Sequence, residues 1–386
     1  MKILIFDFNT PYILTDVAEA FREQGHSVTV VKDVLEQSCY DDEKAQTRIE
    51  KQIRSGGFNM VHTINYYPVT AKACFKLNVV YTAWQDDSPP NLPLNDTLEL
   101  STNRVFFFSK YDAKHYAGLG LEHMYYLPLA ANAKRFQKIP ADPTRFGADI
   151  SLVGRLYPSV FPELVAIMSQ DQQKLMDMLV KTQLTRHGCA LIDEIFTDQV
   201  VSEICAHYKS RSESAIQPTK AEFFYACCTQ VTHLERLMLL RLSAGLGHTV
   251  LYSTPLELTE KAALKEIDIR GPVAYLTEMP AVFKSTKINL NPTLRANRTA
   301  IPLRALDIMA CSAFMLTSAQ EEFDEFFVRD KEYVCYENME EAYDKIRFYL
   351  QHEEERARIA GAGYEKVCAD FNYSDRIKTI LATCGD

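Results

Sequence analysis

The chain has 386 residues, 47% of them hydrophobic and 24% charged, ordinary globular proportions that exclude disorder and fibrous repeats. With 42 basic against 51 acidic residues the formal charge is -9, which gives neither nucleic acid nor an anionic membrane an electrostatic reason to bind. A local basic pocket for a phosphorylated small molecule remains compatible with that balance, and the length suits two domains or one with a large insertion.

In chain order, Lys2 to Phe8 reads as a short apolar strand and Pro11 to Gln24 as an amphipathic helix stopped by Gly25. His26 to Val31 follows as a β-branched strand, Asp41 to Arg54 as a solvated helix, and Met60 to Ile64 as a third strand. Val79 to Trp84 and Val105 to Phe108 are the fourth and fifth. A linker-like stretch after Leu127-Pro128-Leu129 runs through Pro140 and Pro143 to a strand at Asp149 to Val153, ended by Gly154. Residues 159 to about 225 lack strand alternation and read as a helical insertion. The α/β rhythm then returns: helix 234–244, strand His248 to Tyr252, a short helix ending near Phe283, strand Lys287 to Leu290, helix Pro302 to Cys311, and strands Ala313 to Thr317 and Tyr333 to Tyr336. The last 45 or so residues are helical. Strands alternating with helices predict parallel sheets covered on both faces, with ligands beyond the carboxyl ends of the strands. The aromatic runs 106–108 and 223–225 read as core.

No apolar run approaches the roughly 18 to 20 residues needed to span a bilayer. The first residues form too short an apolar segment, broken at Asp7, for a secretory signal. Ten cysteines, with only Cys227 and Cys228 adjacent and no C-x-x-C, fit neither a zinc cluster nor a secreted disulfide scaffold. A cytoplasmic protein with reduced thiols is the expectation, with no bound metal and no cofactor. There is no G-x-G-x-x-G at the first turn (Asn9-Thr10-Pro11), no Walker A sequence, no G-x-S-x-G and no H-E-x-x-H.

Three places can carry chemistry. Gly154-Arg155-Leu156-Tyr157-Pro158 closes a strand, where a glycine lets backbone N–H groups approach a diphosphate and an arginine adds charge-assisted bonds. A tight turn with an exposed arginine is the alternative. Asn291-Pro292-Thr293-Leu294-Arg295, with Arg298 beyond, leads to Pro302, Arg304 and Asp307, where proline marks a helix N-terminus that attracts anions. Arg304 and Asp307 share a helix face, either as a surface ion pair or, given the apolar Leu303, Leu306, Ile308 and Met309, as a buried carboxylate that a ribose diol can satisfy. In the first half, Trp84-Gln85-Asp86-Asp87-Ser88-Pro89-Pro90 puts the only tryptophan and two carboxylates at a sheet edge. There an aspartate can serve as general base, or the run can be turn chemistry before Pro-Pro. His62, with Asn65 behind it, ends the third strand at the same edge; a lone histidine there is either catalytic or a hydrogen-bonded structural residue.

At these residues the chain resembles the CgeB-like glycosyltransferases. The resemblance rests on His62-Thr63-Ile64-Asn65-Tyr66-Tyr67-Pro68, Trp84 to Pro89, Tyr126 to Ala130, Ser151 to Pro158, Ile301 to Cys311 and His352 to Arg356, in that order and spacing. It implies a GT-B fold: two Rossmann-like domains facing a central cleft, here 1–135 on the acceptor side and 148–370 on the donor side. Residues 371–386 are then a C-terminal helix returning to the first domain. The implied activity is metal-independent transfer of a hexose or N-acetylhexosamine from a nucleoside diphosphate sugar, UDP-linked, to a protein or glycan acceptor. The donor candidates are Gly154, Arg155, Tyr157, Asn291, Arg295, Pro302, Arg304 and Asp307; of these the resemblance implies Gly154 and Arg155 near the diphosphate, Arg304 in the family's pattern, and Asp307 on the ribose. On the acceptor side stand Asn65 and Trp84, with Asp87 as base, Asp86 in reserve and His62 as the lesser candidate. Two positions depart from the family: Ser312 replaces a glycine, and Thr299 stands where an acidic residue is usual. They keep open a non-catalytic nucleotide-binding or scaffold protein, and a nucleotide-sugar epimerase of the same fold is a second alternative.

Overall fold

A strand followed by a helix returns to the same end of its sheet, so successive strands pair in parallel. The computed structural model, which describes residues 1–9, 12–35, 42–90, 92, 96–188 and 190–384, shows this arrangement twice, in two units. Pro11 and Asp41, the expected first residues of two helices, lie outside the described residues.

The first unit comprises Met1–Ala133, Thr299–Leu306 and Val367–Asp386. Its strands are β1 (Lys2–Asp7), β2 (Ser27–Lys32), β3 (Met60–Ile64), β4 (Val80–Gln85), β5 (Asn103–Phe107) and β6 (Met124–Tyr126), paired in parallel in the order β2-β1-β3-β4-β5-β6. One sheet face carries Phe6, Val61, Tyr81, Val105 and Phe107, all buried in one cluster. The helix Glu43–Gly56 shows why its ends fall where they do. The Asp42 side chain accepts from the Ala45 N–H, and Gly57 takes a left-handed φ of 59° that closes the last turn. The C-terminal helix Tyr373–Ala382 packs on Leu14–Glu23, with Gln24 donating to Ser374 Oγ at 2.9 Å and Arg376 Nε to the Pro128 carbonyl at 2.8 Å.

The second unit comprises Lys134–Arg298 and Asp307–Lys366. Strands β7 (Ala148–Val153), β8 (Thr249–Tyr252), β9 (Asp268–Arg270), β10 (Thr286–Asn291), β11 (Met315–Ser318) and β12 (Val334–Tyr336) form a parallel sheet in the order β12-β11-β10-β7-β8-β9. From β7 the chain winds outward through β8 and β9, then starts again at β10 and winds the other way. The reversal therefore lies between β7 and β10, the position where open α/β sheets bind ligands beyond the strand ends.

Between β7 and β8 come the helices Phe161–Ala166, Gln170–Leu184, Ala190–Ile195, Asp198–Arg211 and the long helix Lys220–Ala244. Capping boxes start two of them, Ser169 with Gln172 and Thr219 with Glu222. These helices have a core of their own, including Phe161, Met176, Ile192, Phe196, Tyr208, Phe223 and Val231. The aromatic runs are core as read, except that Tyr225 turns outward with 45% of its surface exposed. Among the described residues no helix is long and apolar enough to cross a membrane.

Candidate functional site

On the second unit, the carboxyl ends of β7 and β10 present the loops 154–157 and 292–295. Gly154 has a φ of 158°, and a Cβ placed there would come within 3.2 Å of Arg236 Nη1. The missing side chain thus makes room for an arginine of this chain. Arg236 projects from the long helix and is 9% exposed. Its Nη1 donates to the Arg155 carbonyl and its Nη2 to the Pro292 carbonyl, and its guanidinium lies 4.8 Å from the centre of the Tyr157 ring. Tyr157 holds a left-handed φ of 57°, which turns its ring back toward that cation. The Arg155 side chain is exposed.

The same helix face holds the second loop. Arg295 is buried, its Nε 2.8 Å from Glu235 Oε2, and Glu235 accepts the Tyr336 hydroxyl at 3.0 Å through its other oxygen. Arg295 Nη1 donates to the Arg186 carbonyl at 2.8 Å, its backbone N–H to Thr232 Oγ1 at 2.9 Å, and its Nη2 has no hydrogen-bond partner among the described residues. This arginine is thus held by the chain's own carboxylate, and a phosphate would meet at most the one remaining guanidinium nitrogen. Arg298 is bidentate to Asp193 at 3.0 and 2.7 Å and stacks 4.1 Å from Phe224. Asn291 donates to Thr317 Oγ1 at 3.0 Å, stitching β10 to β11. His187, beside Tyr336, is pushed down to about 4 by burial and by the Arg295 charge, so it is neutral near pH 7.

Asp307 is wholly buried and accepts the Tyr275 hydroxyl at 2.9 Å. It lies on the helix Leu303–Ala310, so the apolar-face alternative describes it and the surface ion pair does not. Pro302 and Arg304, both half-buried, precede it in the stretch grouped with the first unit.

On the first unit, Asn65 follows β3 with a left-handed φ of 63°, a conformation asparagine tolerates better than most residues. Its Nδ2 donates to Asp86 Oδ1 at 2.7 Å and to Asp87 Oδ2 at 3.2 Å, and its Oδ1 accepts the Asp86 N–H at 3.0 Å. One amide thus fixes two adjacent carboxyl groups at the end of β4. Burial, then the Asp87 charge, pushes Asp86 up to about 7, while the Asn65 hydrogen bond acts against them. Burial also raises Asp87, which is more exposed, again opposed by Asn65. Beyond the pair, Ser88 donates to Asp112 Oδ2 at 2.7 Å and anchors the following turn.

The structure does not bring His62 or Trp84 to that edge. His62 is wholly buried in β3, its Nδ1 2.8 Å from Thr82 Oγ1 and its ring edge-on to Phe21, and burial lowers it to about 3. Of the two readings of this histidine, the structural one fits. Trp84 is likewise buried, donating to the Leu127 carbonyl at 3.1 Å and meeting Tyr373 edge-on. Both side chains sit on the face where β3 and β4 register His62 with Thr82 and Ile64 with Trp84. That face is covered by helices, so neither ring is presented to an acceptor. Among the described residues no group of three or more His, Cys, Asp and Glu could hold a metal ion.

Comparison with known proteins agrees with this architecture. Residues 238–382 match the family described as glycosyl transferase-like. Spore protein CgeB of Bacillus subtilis is 31% identical over 85 residues, 22% of this chain and 25% of that protein, so the chain spans about a quarter of the length of the curated relative it matches. The crystal structure of Anabaena Alr3699/HepE in complex with UDP and glucose superposes with a TM-score of 0.58 at 11% identity, covering 99% of each chain. Sucrose-phosphate synthase of Thermosynechococcus elongatus gives 0.59 at 11% identity, over 99% of this chain and 98% of that one. These likenesses agree with the resemblance read from the sequence: the chain has the GT-B fold, and parts of it are similar to spore protein CgeB and to a glycosyl transferase-like family.

Proposed function

We propose that this protein is a glycosyltransferase that takes a hexosyl or N-acetylhexosaminyl group from a nucleoside diphosphate sugar, UDP-linked, and passes it to a hydroxyl acceptor without a bound metal. The observation that carries the reading is the pair of loops at the β7/β10 reversal, in a chain whose residues 238–382 match a glycosyl transferase-like family. In this reading the second unit holds the donor. Backbone N–H groups of the turn beyond Gly154, whose own N–H donates to the Tyr252 carbonyl, and the exposed Arg155 face the diphosphate, and Asp307, oriented by Tyr275, accepts from the ribose diol. As the bond from the sugar to the diphosphate breaks, its electron pair leaves with the diphosphate, and the acceptor oxygen forms the new bond. The acceptor's proton passes to a carboxylate of the first unit, Asp87 or Asp86. A carboxyl group near 7 is poised to accept a proton at neutral pH, a property tuned here by burial and by its neighbour.

Calorimetric titration with a panel of nucleotides and nucleotide sugars tests the donor reading. Binding of UDP or a UDP-sugar in preference to other nucleotides is expected, with slow release of free sugar from one donor. Conversion of a donor to its epimer would replace transferase by epimerase, and failure to bind any nucleotide would leave only the scaffold.

A further inference from the structure

The long helix carries an arginine whose two terminal nitrogens serve two different strand-end loops. Arg236 Nη1 holds the Arg155 carbonyl, after β7, and Nη2 holds the Pro292 carbonyl, after β10. Those strands flank the winding reversal of the sheet, so one guanidinium ties together both lips of the position where α/β sheets take ligands. Neighbouring residues of the helix support the same two loops. His233 Nδ1 is 3.0 Å from the Leu156 carbonyl, Thr232 Oγ1 accepts the Arg295 N–H at 2.9 Å, and Glu235 pairs with the Arg295 side chain. Gly154 completes the fit, since a methyl group there would press on Arg236 Nη1 at 3.2 Å.

We infer that Arg236 is a positioning residue for the donor diphosphate. It locks the 154–157 and 292–295 loops in the spacing that binds the diphosphate, and holding both loops is thus one role of the helices inserted between β7 and β8. This rests on the donor reading given above. A planar fork can serve two carbonyls at fixed separation, which a lysine ammonium on a flexible stem does not reproduce.

The test is UDP affinity by calorimetry for the wild-type chain, Arg236→Lys, Arg236→Met, Gly154→Ala and the Gly154→Ala/Arg236→Met double variant, with circular dichroism to establish that each is folded. Arg236→Lys and Arg236→Met should both weaken UDP by about ten- to a hundredfold, the range for hydrogen bonds from a charged donor. Restoration of affinity in Arg236→Met by millimolar guanidinium would support the clamp, because a general loss of stability is not repaired that way. Gly154→Ala also strains the backbone at φ 158°, so it should weaken UDP in both backgrounds, but by less once Arg236 is gone. Should Arg236→Met fail to fold, Arg236→Lys carries the test, and unchanged UDP affinity in it overturns the clamp. Folded Arg236 variants with wild-type affinity, or a lysine variant that keeps full affinity, overturn the inference while leaving the donor reading intact. A wild-type chain that binds no nucleotide overturns both.

Discussion

Replacing Asn65 by glycine should move the titration of the Asp86–Asp87 pair upward. Glycine adopts the left-handed φ of 63° without strain, so the substitution removes the amide and leaves the backbone turn. The lost bonds are the 2.7 Å contact to Asp86 and the 3.2 Å contact to Asp87, both of which favour ionised carboxylates. A hydrogen bond to a charged group is worth about 1.5–3 kcal/mol. Discounted for the partial exposure of the site, about 1.5 kcal/mol remains, or roughly one pH unit. The wild-type pair should titrate in two coupled steps, the upper near 7, and the variant's upper step should lie about one unit higher. Carboxyl carbon shifts followed by nuclear magnetic resonance across pH 3 to 9 read this directly. The sign for activity follows: a base must be ionised, so donor turnover rises with pH through about 7 in the wild type and at higher pH in Asn65→Gly. For stability the sign is opposite. A carboxyl group raised in the folded state costs the fold nothing below the ordinary carboxylate range, and stability falls as pH climbs from there to about 7. An Asn65→Gly titration that overlays the wild type would refute this account of the pair.

Arg295→Met strands a buried Glu235 carboxylate, so urea unfolding should show a loss of about 3–5 kcal/mol, and Glu235→Gln/Arg295→Met should recover most of it. Trp84 is the only tryptophan and is wholly buried, so native fluorescence should be blue-shifted and resist acrylamide; ready quenching would put the indole elsewhere. Asp307→Asn keeps an acceptor for Tyr275 but removes the charge, and calorimetry should show UDP weakened about tenfold or more; unchanged affinity would remove the ribose role.

Much of the fold was legible because long β-branched or aromatic runs alternate with helical periodicity. Where the reading missed strands, the strands are short. β6 (Met124–Tyr126) and β9 (Asp268–Arg270) have three residues each at the edges of their sheets, too few to show a period. The candidate site divides the same way. The turn at Gly154 and the Asn65, Asp86 and Asp87 group stand out as polar or glycine residues at strand ends. His62, at the centre of β3, and Trp84, near the end of β4, are not at the loop because strand side chains alternate between the two faces of the sheet, and both point to the face that helices cover. Arg236 was missed because an arginine followed by Leu237-Met238-Leu239-Leu240 reads as one charged residue on a helix surface. The available signal was the spacing of Thr232, Glu235 and Arg236, three and four residues apart, which puts polar groups on one face of a helix that is otherwise largely apolar.

The most direct measurement is a crystal structure of the protein grown with UDP. The account predicts the diphosphate against the turn Gly154 to Tyr157, with the ribose hydroxyls reaching Asp307. A nucleotide bound away from the carboxyl ends of β7 and β10, or those ends filled by side chains with no nucleotide bound, would contradict it.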